Sequence, residues 1–248
     1  MKKINIIAFL SILILSRYLY AEDIEKFKAY NPDGQKYEFV RNYLTSLSYF
    51  KANDEKSENV VIKISSELDD ADKVASLIEN LVQENANLRA ARNLLKKYKT
   101  SPNGLILKVT DLFAKVCDEQ IDFNDREKNI LKNLHDVLVK ADIQNFDKRD
   151  FVRTQRWLAS ERKESLKKLL EASMLVKKVL VSNKPDAYGE LTSLGITKEE
   201  RKKLLSKMND LFGKNYRGEL QEGQSFIKGS ILVIRGVLED TTWGTIDG

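Results

Sequence analysis

The chain has 248 residues, with 42 Lys and Arg against 37 Asp and Glu, one cysteine, three prolines and 11 glycines. The lone Cys117 excludes an internal disulfide and with it the small disulfide scaffolds, so packing has to supply the stability. A domain of this length buries roughly 70% of its unfolded surface, which is enough for an unstapled core.

The first residues have the three-part layout of a secretory signal: Lys2 and Lys3, an apolar run from Ile4 to Leu15, and Ala21 ahead of Glu22-Asp23. The run meets Arg17 after about a dozen residues, short of the roughly 20 a membrane-spanning helix needs, so cleavage after Ala21 is expected. Leu19 is large for the minus-three position of such a site, and no Cys follows the run to take a lipid. Removal of Lys2, Lys3 and Arg17 leaves 39 basic against 37 acidic residues. That balance carries no nucleic-acid signature, which would need a local basic surface and not a bulk average. The expected location is periplasmic or extracellular.

Beyond the signal, apolar residues recur at spacings of three and four and not of two, which predicts helices throughout. After an Asn31-Pro32-Asp33-Gly34 turn, Val40, Leu44 and Leu47 mark a first amphipathic helix ending near Asn53. Val60 to Ile64 fits either a helix or a short strand. Ser66 and Asp69 fit a capping box for a long helix reaching about Lys99, with Ile78, Leu81, Leu88, Ala91, Leu95 and Tyr98 inside. Asn85 interrupts that stripe as a polar residue able to fix register.

Ser101-Pro102 suits the opening of the next helix. Its apolar row runs through Leu105, Val109, Leu112, Val116, Phe123, Ile130, Leu134, Val137 and Ala141, close to a heptad rhythm, with a bend expected within Asp122 to Lys128. A third long helix carries Phe151, Leu158, Leu166, Leu169, Val176 and Leu180 on one side. Long helices with stripes this narrow, joined by short loops, are predicted to lie antiparallel.

The C-terminal stretch reads as shorter helices. Pro185 and Gly195 bracket one, and Thr197 with Glu200 forms a capping box ahead of Leu204, Leu205, Met208, Leu211 and Phe212, with Gly213 after. Ile227, Ile231, Ile234 and Leu238 keep helical spacing, although 225–239 is rich in β-branched residues and contains Gly236; context favours helix. The expected fold class is all-α: an elongated antiparallel bundle of long amphipathic helices (22–183) after a cleavable signal peptide (1–21), with a smaller C-terminal helical subdomain and tail (184–248).

Chemistry-bearing constellations are sparse. His135 is the only histidine, which removes the paired-His zinc and di-iron motifs; it reads as flanking the apolar stripe, and a haem held with Met174 or Met208 is the rival. Cys117 reads as a small buried hydrophobe, because His135 lies 18 residues along the same helix, about 27 Å away. Asp118, Asp122 and Asp125 line one helix face and Asp122-Phe123-Asn124 begins like a calcium loop, but Arg126 takes the next ligand position, so a solvated acidic face is expected. No phosphate-binding glycine loop and no nucleophile elbow occur. No catalytic residue, metal or cofactor is assigned.

Arg149, Arg153, Arg156, Lys163 and Lys167 recur at steps of four, three, seven and four and share one face of the third long helix, about 200° from the Phe151 stripe. Between Lys148 and Lys168 there are eight basic and three acidic residues. The ordinary reading is a solvated helix side; the functional one is an outward basic ridge that docks lipid headgroups, an acidic cell-wall polymer or an acidic protein. The functional expectation is an exported non-enzymatic protein acting by protein–protein interaction or self-association, with peripheral docking on an anionic envelope surface as the alternative.

Overall fold

The computed structural model describes residues 32–50, 70–140, 144, 146–181, 196, 198–213 and 226–239. Every regular element among them is helical: α1 (Pro32–Ser48), α2 (Ala71–Lys96) with a 3₁₀ turn (Lys97–Thr100), α3 (Gly104–Val139), α4 (Lys148–Val181), α5 (Lys198–Phe212) and α6 (Phe226–Glu239). The signal segment, Val60 to Ile64, Ser66 and Asp69, Ala141, the Pro185–Gly195 stretch, Thr197 and the tail from residue 240 lie outside the described residues.

The helix starts differ from the sequence reading in instructive ways. Pro32, Asp33 and Gly34 form the first turn of α1 and not a turn before it, since proline's fixed φ and missing N–H cost nothing at that position. The helix stops at Ser48, short of Asn53, and Tyr49 and Phe50 close the chain with bonds to Ser46 and Leu47. Asp70 caps α2, its carboxylate accepting from the Asp72 and Lys73 amides. Asn103, and not Ser101-Pro102, caps α3 by accepting from Leu105 and Ile106. Asp147 does the same for α4, at 3.0 Å from the amides of Arg149 and Asp150.

α3 passes through Asp122 to Lys128 without a break in its helix. Its 36 residues correspond to about 54 Å of axis at 1.5 Å each. Side-chain pairs fix the directions of its neighbours. Arg92 meets Asp118 while Asn85 meets Asn124, so α2 and α3 run antiparallel; Lys168 meets Glu119 while Arg162 meets Glu127, so α3 and α4 do too.

The apolar core falls into two clusters. The larger takes Leu88, Ala91 and Leu95 from α2, Val109, Phe113 and Val116 from α3, Leu169 and Val176 from α4, and the inner faces of α1, α5 and α6. Aromatic rings key α1 into it: Phe39 meets Tyr98 edge-on at 5.1 Å, and Phe113 takes Tyr43 at 5.7 Å and Phe50 at 5.4 Å. Ile227, Ile231, Ile234 and Leu238 of α6 are buried in the same cluster, and α6 packs along α4. The smaller cluster is built from Val74, Leu81, Leu131, Leu134 and Phe151.

Candidate functional site

All five residues of the expected basic face, Arg149, Arg153, Arg156, Lys163 and Lys167, are exposed. α4 places them there because its opposite face carries Phe151, Leu158, Leu166 and Leu169, which are buried. Lys148, Arg149, Arg153 and Arg156 also line an open groove together with Val152. Part of the charge is already paired: Arg153 with Asp150 and Lys167 with Glu164, each at 2.5 Å and each exposed. Exposed pairs of this kind contribute about 0–1 kcal/mol and open readily. Arg149, Arg156 and Lys163 make no ion pair among the described residues.

Trp157 stands 44% exposed beside this face, and Arg126 of α3 lies over its ring at 5.7 Å while pairing with Asp122 at 2.8 Å. The indole is thus held by a cation from the neighbouring helix, a contact that α4's own sequence does not announce.

Two members of the basic run belong elsewhere. Lys168 bridges to Glu119, which also accepts from Ser165 at 2.7 Å. Partial burial disfavours that carboxylate's charge, but the bonds from Lys168 and Ser165 outweigh it and hold Glu119 below the usual carboxylate range. Arg162 turns fully inward, with none of its surface exposed. The outward charge of α4 is therefore smaller than its residue count implies.

Arg162 anchors a buried polar layer that the sequence reading missed apart from Asn85. Its Nη2 donates to Asn124 Oδ1 at 2.8 Å and lies 2.7 Å from Glu127 Oε2, the latter an ion pair too bent to be a hydrogen bond. Asn124 Nδ2 donates to Asn85 Oδ1 at 3.0 Å, and Asn85 Nδ2 donates to Asp125 Oδ1 at 3.1 Å, so the chain of bonds crosses α4, α3 and α2. Gln120 Nε2 reaches the Arg162 carbonyl at 3.3 Å. Arg162 Nε and Nη1 and both amide atoms of buried Gln155 have no hydrogen-bond partner among the described residues.

A signal for this layer existed. Buried positions on α3 step by four and three through Phe113, Cys117, Gln120, Asn124, Glu127, Leu131 and Leu134, and on α4 through Phe151, Gln155, Leu158, Arg162, Ser165 and Leu169. Those are unbroken heptad seams with polar members. Following apolar residues alone shifts the row to Phe123, Ile130 and Val137, which are only partly buried.

The remaining candidates are kept apart or occupied by other residues. Cys117 is buried, burial pushes its thiol well up with Asp118 adding to the effect, and the unbroken α3 holds His135 about 27 Å away along its axis. His135 is partly exposed next to the smaller cluster, whereas Met208 lies buried in the larger one and Met174 is exposed. Asp118, Asp122 and Asp125 each face a different cation, Arg92, Arg126 and Lys128. Among the described residues no group of three metal-ligating side chains converges, and no helix is long and apolar enough to cross a membrane.

No protein-family model, curated protein or solved structure matches this chain.

Proposed function

We propose that the chain is an exported, non-enzymatic helical protein that acts by binding, and that the basic face of α4 is its docking element for an anionic partner. One observation carries the reading: Arg149, Arg153, Arg156, Lys163 and Lys167 point outward together while the apolar rows of the same helices are consumed inside one chain. The large apolar side chains left exposed among the described residues, Val82, Val139, Trp157 and Met174, are scattered along α2, α3 and α4, so charge is the feature these helices offer outside. Export rests on the basic, apolar and small-residue order of residues 1–21.

The test is retention on anionic surfaces. Protein purified from expressing cells is expected to bind phosphatidylglycerol vesicles or immobilised polyanion at about 0.05 M salt and to release by about 0.5 M, as screened charge requires. Arg149→Glu/Arg153→Glu/Arg156→Glu is expected to abolish retention with the helical spectrum intact. Binding that survives both the salt and the charge reversal removes the reading. Retention on polyanion without binding to vesicles assigns the face to an acidic polymer or protein and not to lipid.

A further inference from the structure

We propose that the end of the bundle beyond the Glu127–Arg162 layer opens and recloses as a unit of its own while the rest of the molecule stays folded. The unit comprises residues 71–84 of α2, 128–139 of α3, and 146–158, which takes in the start of α4. Among the described residues its apolar cluster holds five buried side chains against thirty-one in the other, and α1, α5 and α6 contribute to that other cluster alone. Among the described residues the small cluster is built by α2, α3 and α4 near their ends, with Phe146 packed against it.

What separates the clusters is polar. Between Cys117 and Leu131 the buried seam of α3 reads Gln120, Asn124, Glu127, and the matching stretch of α4 has Leu158 as its one apolar member between Gln155 and Arg162. Apolar contact propagates cooperativity because each buried side chain supports its neighbours; a layer of hydrogen-bonded and ionic groups can exchange its partners for water at much smaller net cost. The layer also fits imperfectly in the closed state. Gln155 is 2% exposed and leaves both amide atoms unbonded, and Arg162 leaves two nitrogens unbonded. Opening relieves that deficit, so it lowers the free energy of the local event relative to global unfolding.

Hydrogen exchange on the full chain reads this directly. Amides within 74–81, 131–138 and 150–155 are expected to be protected at least about tenfold less than those within 88–95, 109–117 and 166–176, and with a weaker denaturant dependence, as a sub-global opening requires. Glu127→Leu/Arg162→Met, which replaces the layer's two charges with apolar side chains, is expected to narrow the gap about tenfold or more by bringing the two clusters into closer contact. Gln155→Leu does the same to a smaller degree and leaves the ion pair in place. Equal protection and equal denaturant dependence in the two sets of amides overturn the proposal, whatever the variants do. A folded variant whose gap is unchanged overturns the role given to the polar layer.

Discussion

Arg162 and Glu127 meet 2.7 Å apart across the α3–α4 interface, and neither side chain reaches solvent beyond a few per cent. Two charges are thereby stabilised by each other and by Asn124 in a place where either alone would be uncompensated. The pair lies between two apolar clusters, so its removal tests how much of the bundle depends on it.

Glu127→Gln keeps the shape and removes the negative charge, leaving the guanidinium buried without its counterion. The expected cost is about 3–5 kcal/mol, or roughly 6–20 °C in the thermal midpoint for a chain of this size. Glu127→Leu/Arg162→Met removes both charges together and is expected to melt within a few degrees of the native protein or above it. Thermal circular dichroism of the two variants checks the contrast. A single variant that melts with the native chain would mean that the pair is solvated after all.

A second expectation concerns alkaline pH. The Tyr43 hydroxyl is buried between the Leu169 carbonyl at 3.2 Å and Ser173 Oγ at 2.9 Å, and burial raises its pKa well above the usual 10.0. The folded state therefore holds the phenol proton more tightly than the unfolded chain does. The associated stability is fully present below about pH 10 and is lost progressively as pH rises past it. The Cys117 thiol shifts in the same direction from its usual 9.0 and adds to the loss. Tyr43→Phe is expected to cost about 1 kcal/mol at neutral pH through the missing hydrogen bond and to move the alkaline unfolding midpoint upward. Unfolding followed against pH for both proteins decides it, and identical alkaline midpoints would rule the phenol out.

A third concerns the start of α3. Asn103 Oδ1 accepts from the amides of Leu105 and Ile106 at 3.0 and 3.3 Å, which satisfies donors that a helix start leaves open. Asn103→Ala is expected to lower stability by about 1 kcal/mol, whereas Ser101→Ala, two residues too early to cap α3, is expected to cost less. Urea denaturation of the two variants ranks them; the reverse order would restore Ser101-Pro102 as the stop-and-start signal.

Much of the architecture is legible in the residue order. The spacing of Leu81, Leu88, Leu95 on α2 and of Leu158, Leu166, Leu169, Val176 on α4 identifies helices and their inner faces, and all of these are buried. Ile227 to Leu238 is helical despite its β-branched residues, because helical spacing and packing against α4 outweigh a weak local preference. The basic face is legible as well, since a helix with one apolar side must present the other outward.

What tertiary structure alone decided is which polar residues go inside. Periodicity ranks positions by apolarity, so Glu127, Arg162, Gln120 and Asn124 on the buried seams look like surface until the facing helix supplies their partners. Arg162 is one of the eight basic residues between Lys148 and Lys168 and is the least exposed charge among the described residues. Burial is set by what stands opposite a side chain, and for Arg162 the opposite charge arrives from another helix, a pairing 35 residues away that local pattern does not encode.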